Sequence, residues 1–231
     1  MNKLGLIGGT GPESTIEYYR KIEYGVQRIA GGLPRLTIES MSVFDVLSYC
    51  ARKDYDGLTR YLLGAVRSLA DAGCGAAALT GITPHIVFEE LSAQSPIPVI
   101  SMIEAACSRA LDDGLRKVVL LGTYPTMSGN FFQRAFHARG IDVVTPEPEE
   151  MRYIGGKIET EIELGQILPE TQKRFADIAL GTAKRHGAGA VVLGCTELPL
   201  ILNEKLLGMP CLDVMEIHIE RLISFILEDQ K

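Results

Sequence analysis

The chain has 231 residues, 46% of them hydrophobic and 23% charged, with a formal net charge of −6. That is the composition of a soluble globular protein with room for a large core, and with no basic cluster longer than Ala183-Lys184-Arg185-His186 it disfavours nucleic acid as a partner. No apolar run approaches the roughly 18 residues of a membrane span, and the amino terminus enters a strand pattern at once, which points away from a signal peptide or a membrane and toward the cytoplasm.

In chain order, the short apolar runs 4–8, 36–41, 76–80, 99–101, 118–122, 143–145, 190–194 and 210–212 read as strands. Between them the spacing predicts helices over 15–30, 55–72, 171–186 and 214–227, two of which stop at Gly73 and Gly187. Strand and helix in alternation imply an α/β fold with parallel sheets and crossover helices.

The pattern repeats. Gly8 to Gly81 and Gly122 to Cys195 both span 73 residues (81 − 8 and 195 − 122), and Leu6-Ile7-Gly8-Gly9-Thr10 is similar to Leu120-Leu121-Gly122-Thr123. Two similar four-stranded parallel-sheet α/β domains related by duplication are expected. The first takes residues 1–105 with the last helix, 214–231, packed back on it; the second takes 106–213. Ligands of parallel sheets bind outside the carboxyl ends of the strands, so an active-site cleft between the two domains is expected. Four turns would line it: 8–15, 81–85, 122–128 and 195–197. They carry Thr10, Ser14, Thr15, Thr83, Thr123, Thr126, Ser128 and Thr196. Hydroxyls beside helix N-termini suit a small carboxylate. Any one of these threonines is as readily a helix cap; the matched spacing of four such turns favours a site.

Gly8-Gly9-Thr10-Gly11-Pro12-Glu13-Ser14 looks superficially like a phosphate loop, but Ser14 stands where GxGxxG needs its third glycine. Thr10 with Glu13 also fits a capping box with Pro12 early in the helix. An anion-binding turn is the better reading. Among the histidines, His85 is placed to face the cleft, whereas His137, His186 and His218 read as surface or helix-end residues. The five cysteines are scattered, with no CxxC pair or His/Cys cluster, so reduced thiols and no metal are expected. Cys50, Cys74, Cys107 and Cys211 read as small buried hydrophobes. Cys195 is different. It comes after Gly194 where a strand turns into a helix, and the first N–H groups of that helix would favour thiolate over thiol. Such a sulfur can serve as nucleophile, metal ligand or carbon-acid base.

Gly8-Gly9-Thr10-Gly11-Pro12-Glu13-Ser14-Thr15, Thr83-Pro84-His85, Leu121-Gly122-Thr123 and above all Gly194-Cys195-Thr196-Glu197 together resemble the aspartate/glutamate racemase family. The resemblance implies a cofactor-independent amino-acid racemase or epimerase, an isomerase that needs no pyridoxal phosphate, with a homodimer as the expected assembly. In that family two cysteines flank the substrate α-carbon; one removes a proton as thiolate and the other returns one from the opposite face, while hydroxyls and amides stabilise the enolate-like charge. Carried onto this chain, Cys195 is catalytic, and Gly9, Thr10, Gly81, Ile82, Thr83, Thr123, Thr126, Thr196 and Glu197 line the site for a small carboxylate or amino-acid substrate.

The chain departs from the pattern at one critical place. Where the family usually reads Cys-Asn-Thr-x-His, it has Gly81-Ile82-Thr83-Pro84-His85. Cys195 is then the lone thiol, with Thr83, His85 or a water opposite it, and an asymmetric racemase is expected, faster with one enantiomer. Gly165-Gln166-Ile167-Leu168 also lacks the basic residue that some aspartate-specific members carry, leaving Arg52 and Lys53 as the alternative cations for a distal carboxylate. Two other readings stay open. One is a one-cysteine decarboxylase or isomerase of the arylmalonate decarboxylase type, in which glycine leaves room for a departing carboxylate. The other is a non-catalytic amino-acid or dicarboxylate-binding protein.

Overall fold

The structure, a computed structural model, describes residues 1–228. In chain order it contains β1 (Leu4–Gly8), α1 (Pro12–Ala30), β2 (Leu36–Ser40), α2 (Val43–Arg52), α3 (Tyr55–Asp71), β3 (Ala76–Leu79), α4 (Phe88–Gln94), β4 (Val99–Ile100), α5 (Met102–Asp112), β5 (Lys117–Gly122), α6 (Tyr124–Ser128), α7 (Phe131–His137), β6 (Asp142–Val144), α8 (Pro148–Thr160), α9 (Pro169–His186), β7 (Ala190–Gly194), α10 (Glu204–Leu207), β8 (Cys211–Asp213) and α11 (Val214–Leu227). All eight expected strands are present, their ends shifted by no more than a residue. The short helices α2, α4, α6, α7 and α10 carry too few turns to leave a clear periodicity in the sequence. No helix among the described residues is long and apolar enough to cross a membrane.

The chain divides into two units, Met1–Met102 with His218–Lys231 and Ile103–Ile217. Each unit holds one four-stranded sheet, β2-β1-β3-β4 or β6-β5-β7-β8, and every pairing is parallel. Within each sheet the two inner strands are the apolar ones: β1, β3 and β7 are buried along their whole length, as is β5 after Lys117. Helices cover both faces of such strands, so they read as continuous apolar runs rather than alternating ones. The helices supply the matching faces. Leu58, Leu62, Val66 and Leu69 of α3 pack with Ile7, Ala77 and Leu79, and Phe175, Ile178 and Ala179 of α9 pack with Val119, Leu121 and Val191.

The last helix closes the first sheet. Asn2 donates its backbone N–H to Ile226 O at 2.8 Å and its side-chain amide to Phe225 O at 2.8 Å, while Ile223 fills the space left open by Gly25 on α1. His218 is therefore a core residue, not the surface residue its helical position suggested. Its ring is fully buried, Nδ1 lies 2.8 Å from the Tyr18 hydroxyl, and Nε2 lies 3.1 Å from Ile100 O. His85 is also buried, stacked on Phe88, with Nδ1 3.0 Å from Gly81 O and Nε2 3.4 Å from the Met102 N–H. Desolvation, the largest cause in both cases, lowers His85 to about 4 and His218 to about 3.

Both imidazoles stay neutral in the fold but protonate once the chain unfolds. Below the ordinary value of 6.5 the unfolded state therefore binds more protons, and stability falls as pH drops from 6.5 toward 4. The slope from each histidine is at most about 1.4 kcal/mol per pH unit. Urea unfolding at pH 6.5, 5.5 and 4.5 should show this loss, and His218→Gln should make it shallower. An identical slope in the variant would mean that His218 does not enter the fold neutral.

Candidate active site

Strand order fixes where a ligand can sit. In β2-β1-β3-β4 the chain leaves β1 toward one side of the sheet and β3 toward the other, which opens a crevice at their carboxyl ends. The order β6-β5-β7-β8 does the same at β5 and β7. The turn after β1 is thus set beside the turn after β3, and the turn after β5 beside the turn after β7.

The first pair is stitched by hydroxyls. Thr80 Oγ1 donates to Ile7 O at 3.2 Å and lies 3.2 Å from Thr15 Oγ1; Thr15 donates to Gly11 O at 2.9 Å and accepts from the Gly9 N–H at 3.0 Å. Gly9 has φ +76°, and a Cβ there would lie 2.2 Å from Met41 O, so only glycine allows β2 and the β1 turn to approach this closely. The capping box that Thr10 and Glu13 also fitted is absent: α1 begins at Gly11 with no side-chain cap, and Thr10 Oγ1 is buried without a partner among the described residues. Thr10's carbonyl and hydroxyl instead press against Gly81. Ile82 and Thr83 are half-buried at the start of the 3-10 turn Thr83–Val87. No hydrogen bond is recorded for the Thr83 hydroxyl among the described residues. His85 does not present a free nitrogen to this crevice, because both ring nitrogens hold backbone atoms. It secures Gly81 through its carbonyl.

The second pair carries the titratable groups. Backbone approaches backbone where β5 and β7 end, since a Cβ on Gly122 would lie 2.7 Å from Gly194 O. Thr126 is buried, its methyl against both glycines and its hydroxyl 3.0 Å from Thr123 Oγ1. After Gly194 come Cys195, Thr196 and Glu197, all half-buried. The Cys195 thiol donates to Glu197 Oε2 at 2.9 Å, and the Thr196 hydroxyl donates to the same oxygen at 2.7 Å.

This geometry reverses the expected charge state of the sulfur. Cys195 leads into a turn and a three-residue 3-10 piece, Leu198–Leu200, far too short to present a helix dipole. Burial first, then the Glu197 carboxylate, pushes the Cys195 thiol well above the ordinary cysteine range, with only the Glu197 N–H acting the other way. The resting group is a thiol, hydrogen-bonded to the Glu197 carboxylate.

A third acidic group joins them. Glu161 accepts hydrogen bonds from Lys157 and Thr171 and so fixes the turn Ile162–Leu164. Glu163 on that turn feels the Glu197 charge and contributes to raising Cys195; its own carboxyl is pushed up by burial, then by Glu197 and Glu159. Glu163 left no signal in the sequence, since 32 residues (195 − 163) separate it from Cys195. Of the alternative cations, Arg52 ends α2 with its guanidinium 5.2 Å from the Tyr49 ring centre, and Lys53 is the left-handed cap of that helix. No hydrogen bond or ion pair is recorded between either residue and the β1 or β3 turn among the described residues.

Comparison with known proteins agrees with the residues. A family model described as Asp/Glu/Hydantoin racemase matches residues 7–222. A broad specificity amino-acid racemase, RacX of Bacillus subtilis strain 168, is 21% identical over 213 residues, 91% of this chain and 92% of the relative. The crystal structure of an aspartate racemase homologue from Pyrococcus horikoshii OT3 is 32% identical with a TM-score of 0.87, covering 99% of this chain and 100% of that one. A candidate Asp/Glu racemase from Yersinia pestis gives 28% identity and a TM-score of 0.93 at 99% and 100% coverage.

The Cys195–Glu197 pair has a direct chemical test. Replacing Glu197 by Gln removes the negative charge that holds the thiol protonated, so the pH dependence of Cys195 alkylation by iodoacetamide should move to lower pH and the rate at pH 8 should rise. Peptide mass spectrometry separates Cys195 from Cys50 and Cys211, which are also half-buried. A shift to higher pH, or none, would contradict the assigned electrostatics.

Proposed function

This chain belongs to the Asp/Glu/hydantoin racemase family, and from that premise we propose that it labilises the α-proton of an amino acid, with Cys195 as its one acid–base group and Glu197 as the group that charges and discharges the thiol. The observation that carries this reading is the 2.9 Å hydrogen bond from Cys195 to a carboxylate. To act as a base, Cys195 passes its proton to Glu197 Oε2 and the resulting thiolate takes the α-hydrogen; the electron pair of the broken C–H bond delocalises into the substrate carboxylate. In the reverse step the thiol protonates the carbanion. The direct hydrogen bond lets the proton pass between the two groups without an intervening water.

The negative charge around the sulfur, chiefly that of Glu197, also bears on the substrate. Glu163 and Glu197 both repel an approaching anion, so a second substrate carboxylate is disfavoured near this sulfur. Amino acids without an acidic side chain are the favoured class. The RacX relative, described as having broad specificity, is compatible with that choice.

Because the two enantiomers have an equilibrium constant of one, kcat/KM must be equal in both directions, and asymmetry is sought elsewhere. A lone cysteine removes and returns a proton on the same face. In heavy water, α-deuterium should therefore enter one enantiomer with retention faster than inversion occurs. Proton NMR on enantiopure amino acids reads exchange, and chiral chromatography reads inversion. Cys195→Ala should abolish exchange, and Glu197→Gln should slow it by about 10²–10⁴-fold. Amino acids that bind the wild type but never exchange would replace catalysis with binding as the function.

A further inference from the structure

The chain leaves the first unit after Met102 and re-enters it at His218. The strand that leads to this exit, β4, is only Val99–Ile100 and pairs with β3 alone. So short an edge strand supplies little to hold Ile100-Ser101-Met102, yet Ser101 and Met102 are only 4% and 1% exposed. Two buried imidazoles grip the segment at its ends. His218 Nε2 lies 3.1 Å from Ile100 O, and His85 Nε2 lies 3.4 Å from Met102 N.

Backbone chemistry dictates where each ring carries its proton. A peptide N–H only donates and a carbonyl only accepts. His85 Nε2 is therefore bare toward Met102, and its proton sits on Nδ1, donated to Gly81 O at 3.0 Å. His218 is the reverse: Nε2–H donates to Ile100 O, and Nδ1 accepts from the Tyr18 hydroxyl at 2.8 Å. The two rings need opposite tautomers. Met102 is the first residue of α5, and the opening N–H groups of a helix have no acceptor within it. His85 supplies that acceptor, and through its other nitrogen it holds the peptide that opens the turn after β3. Phe88, stacked with 5.5 Å between ring centres and 10° between planes, sets the plane of the imidazole.

We propose that His85 is a positioning residue: as the Nδ1–H tautomer it ties the Gly81 peptide to Met102, where the chain leaves the first unit, while His218 fixes Ile100 in the opposite tautomer. A ring with both nitrogens spent in this way takes no part in acid–base chemistry. It makes the start of the β3 turn and the exit of the chain one piece, so neither shifts without the other. The bearing of this tie on α-proton exchange rests on the proposed function; the tautomers and the Met102 bond do not.

Long-range proton–nitrogen NMR of the isotope-labelled full chain, with each imidazole assigned through its own backbone resonances, reads the tautomers directly. His85 should be protonated at Nδ1 and His218 at Nε2. Two variants then separate the two bonds of His85. His85→Asn keeps a donor where Nδ1–H stood and loses the acceptor for Met102; His85→Gln keeps an acceptor where Nε2 stood and loses the donor to Gly81. Amide hydrogen exchange at Met102 should quicken about tenfold or more in His85→Asn and stay near the wild-type rate in His85→Gln. α-Deuterium exchange should follow the other bond, staying within about threefold of wild type in His85→Asn and slowing about tenfold or more in His85→Gln. A ring that merely filled space would rank the two variants alike in both readouts. A proton on His85 Nε2, equal Met102 exchange in the two variants, or α-deuterium exchange as fast in His85→Gln as in His85→Asn would each overturn the proposal. The tautomer measurement uses the unaltered chain and decides even if neither variant folds. Absence of α-deuterium exchange in the wild type sinks the racemase reading alone.

Discussion

The glycine-to-backbone approach at the ends of the inner strands is the constraint on which the candidate site depends. A parallel sheet whose chain departs in opposite directions from two adjacent strands leaves a gap at their carboxyl ends. The turns can close on that gap only if their first residues lack side chains. Gly122 and Gly194 meet this condition in one sheet. In the other, Gly8 and Gly81 do, with a Cβ on Gly8 lying 2.5 Å from Thr15 Cγ2. The residues just beyond these glycines, Thr10 in one unit and Cys195 in the other, are each delivered to the strand ends of their own sheet by backbone geometry before any side-chain chemistry is considered.

The sulfur illustrates how local sequence and three-dimensional surroundings can pull a group in opposite directions. A cysteine at a strand-to-helix junction is expected to ionise readily, because a helix dipole is worth up to about 2 kcal/mol in partly buried geometries. Here the next residues form a tight turn instead of a helix, so that stabilisation is missing. Glu197 is held two residues on, with its carboxylate against the thiol. Desolvation and like charge then act together in favour of the protonated form. The proton therefore rests on the sulfur, which donates it in a hydrogen bond to the Glu197 carboxylate.

Periodicity carried the architecture. Four strands per half, the 73-residue repeat and the parallel pairing were legible because buried inner strands such as Leu4–Gly8 and Ala190–Gly194 are uninterrupted apolar runs. The turns at the strand ends were legible as well, since glycine and threonine cluster there. What escaped the sequence depended on distant partners. His218 looked like a surface residue until Tyr18, 200 positions away in chain number, and Ile100 were seen to satisfy its ring. Thr10 with Glu13 matched a capping box in spacing, yet Gly11 took the cap position and left the hydroxyl unpaired. Glu163 reached the Cys195 neighbourhood through a turn anchored by Lys157 and Thr171, a connection no local pattern encodes.

The two units share a topology, but their chemistry has diverged. At the β1 and β3 turns the polar groups are hydroxyls and backbone amides, and the nearby imidazole of His85 is kept neutral and committed at both nitrogens. Nothing there changes protonation near neutral pH. At the β7 turn a thiol meets the Glu197 carboxylate, and the more distant charge of Glu163 adds to the cost of a thiolate. A duplicated fold does not require both copies to remain acid–base catalysts. A copy that binds through fixed dipoles gains from losing its titratable group, because a hydroxyl and a helix terminus hold a carboxylate without competing for its proton. Glycine at position 81 and cysteine at position 195 stand at matched places of the repeat, and only the second carries a titratable side chain.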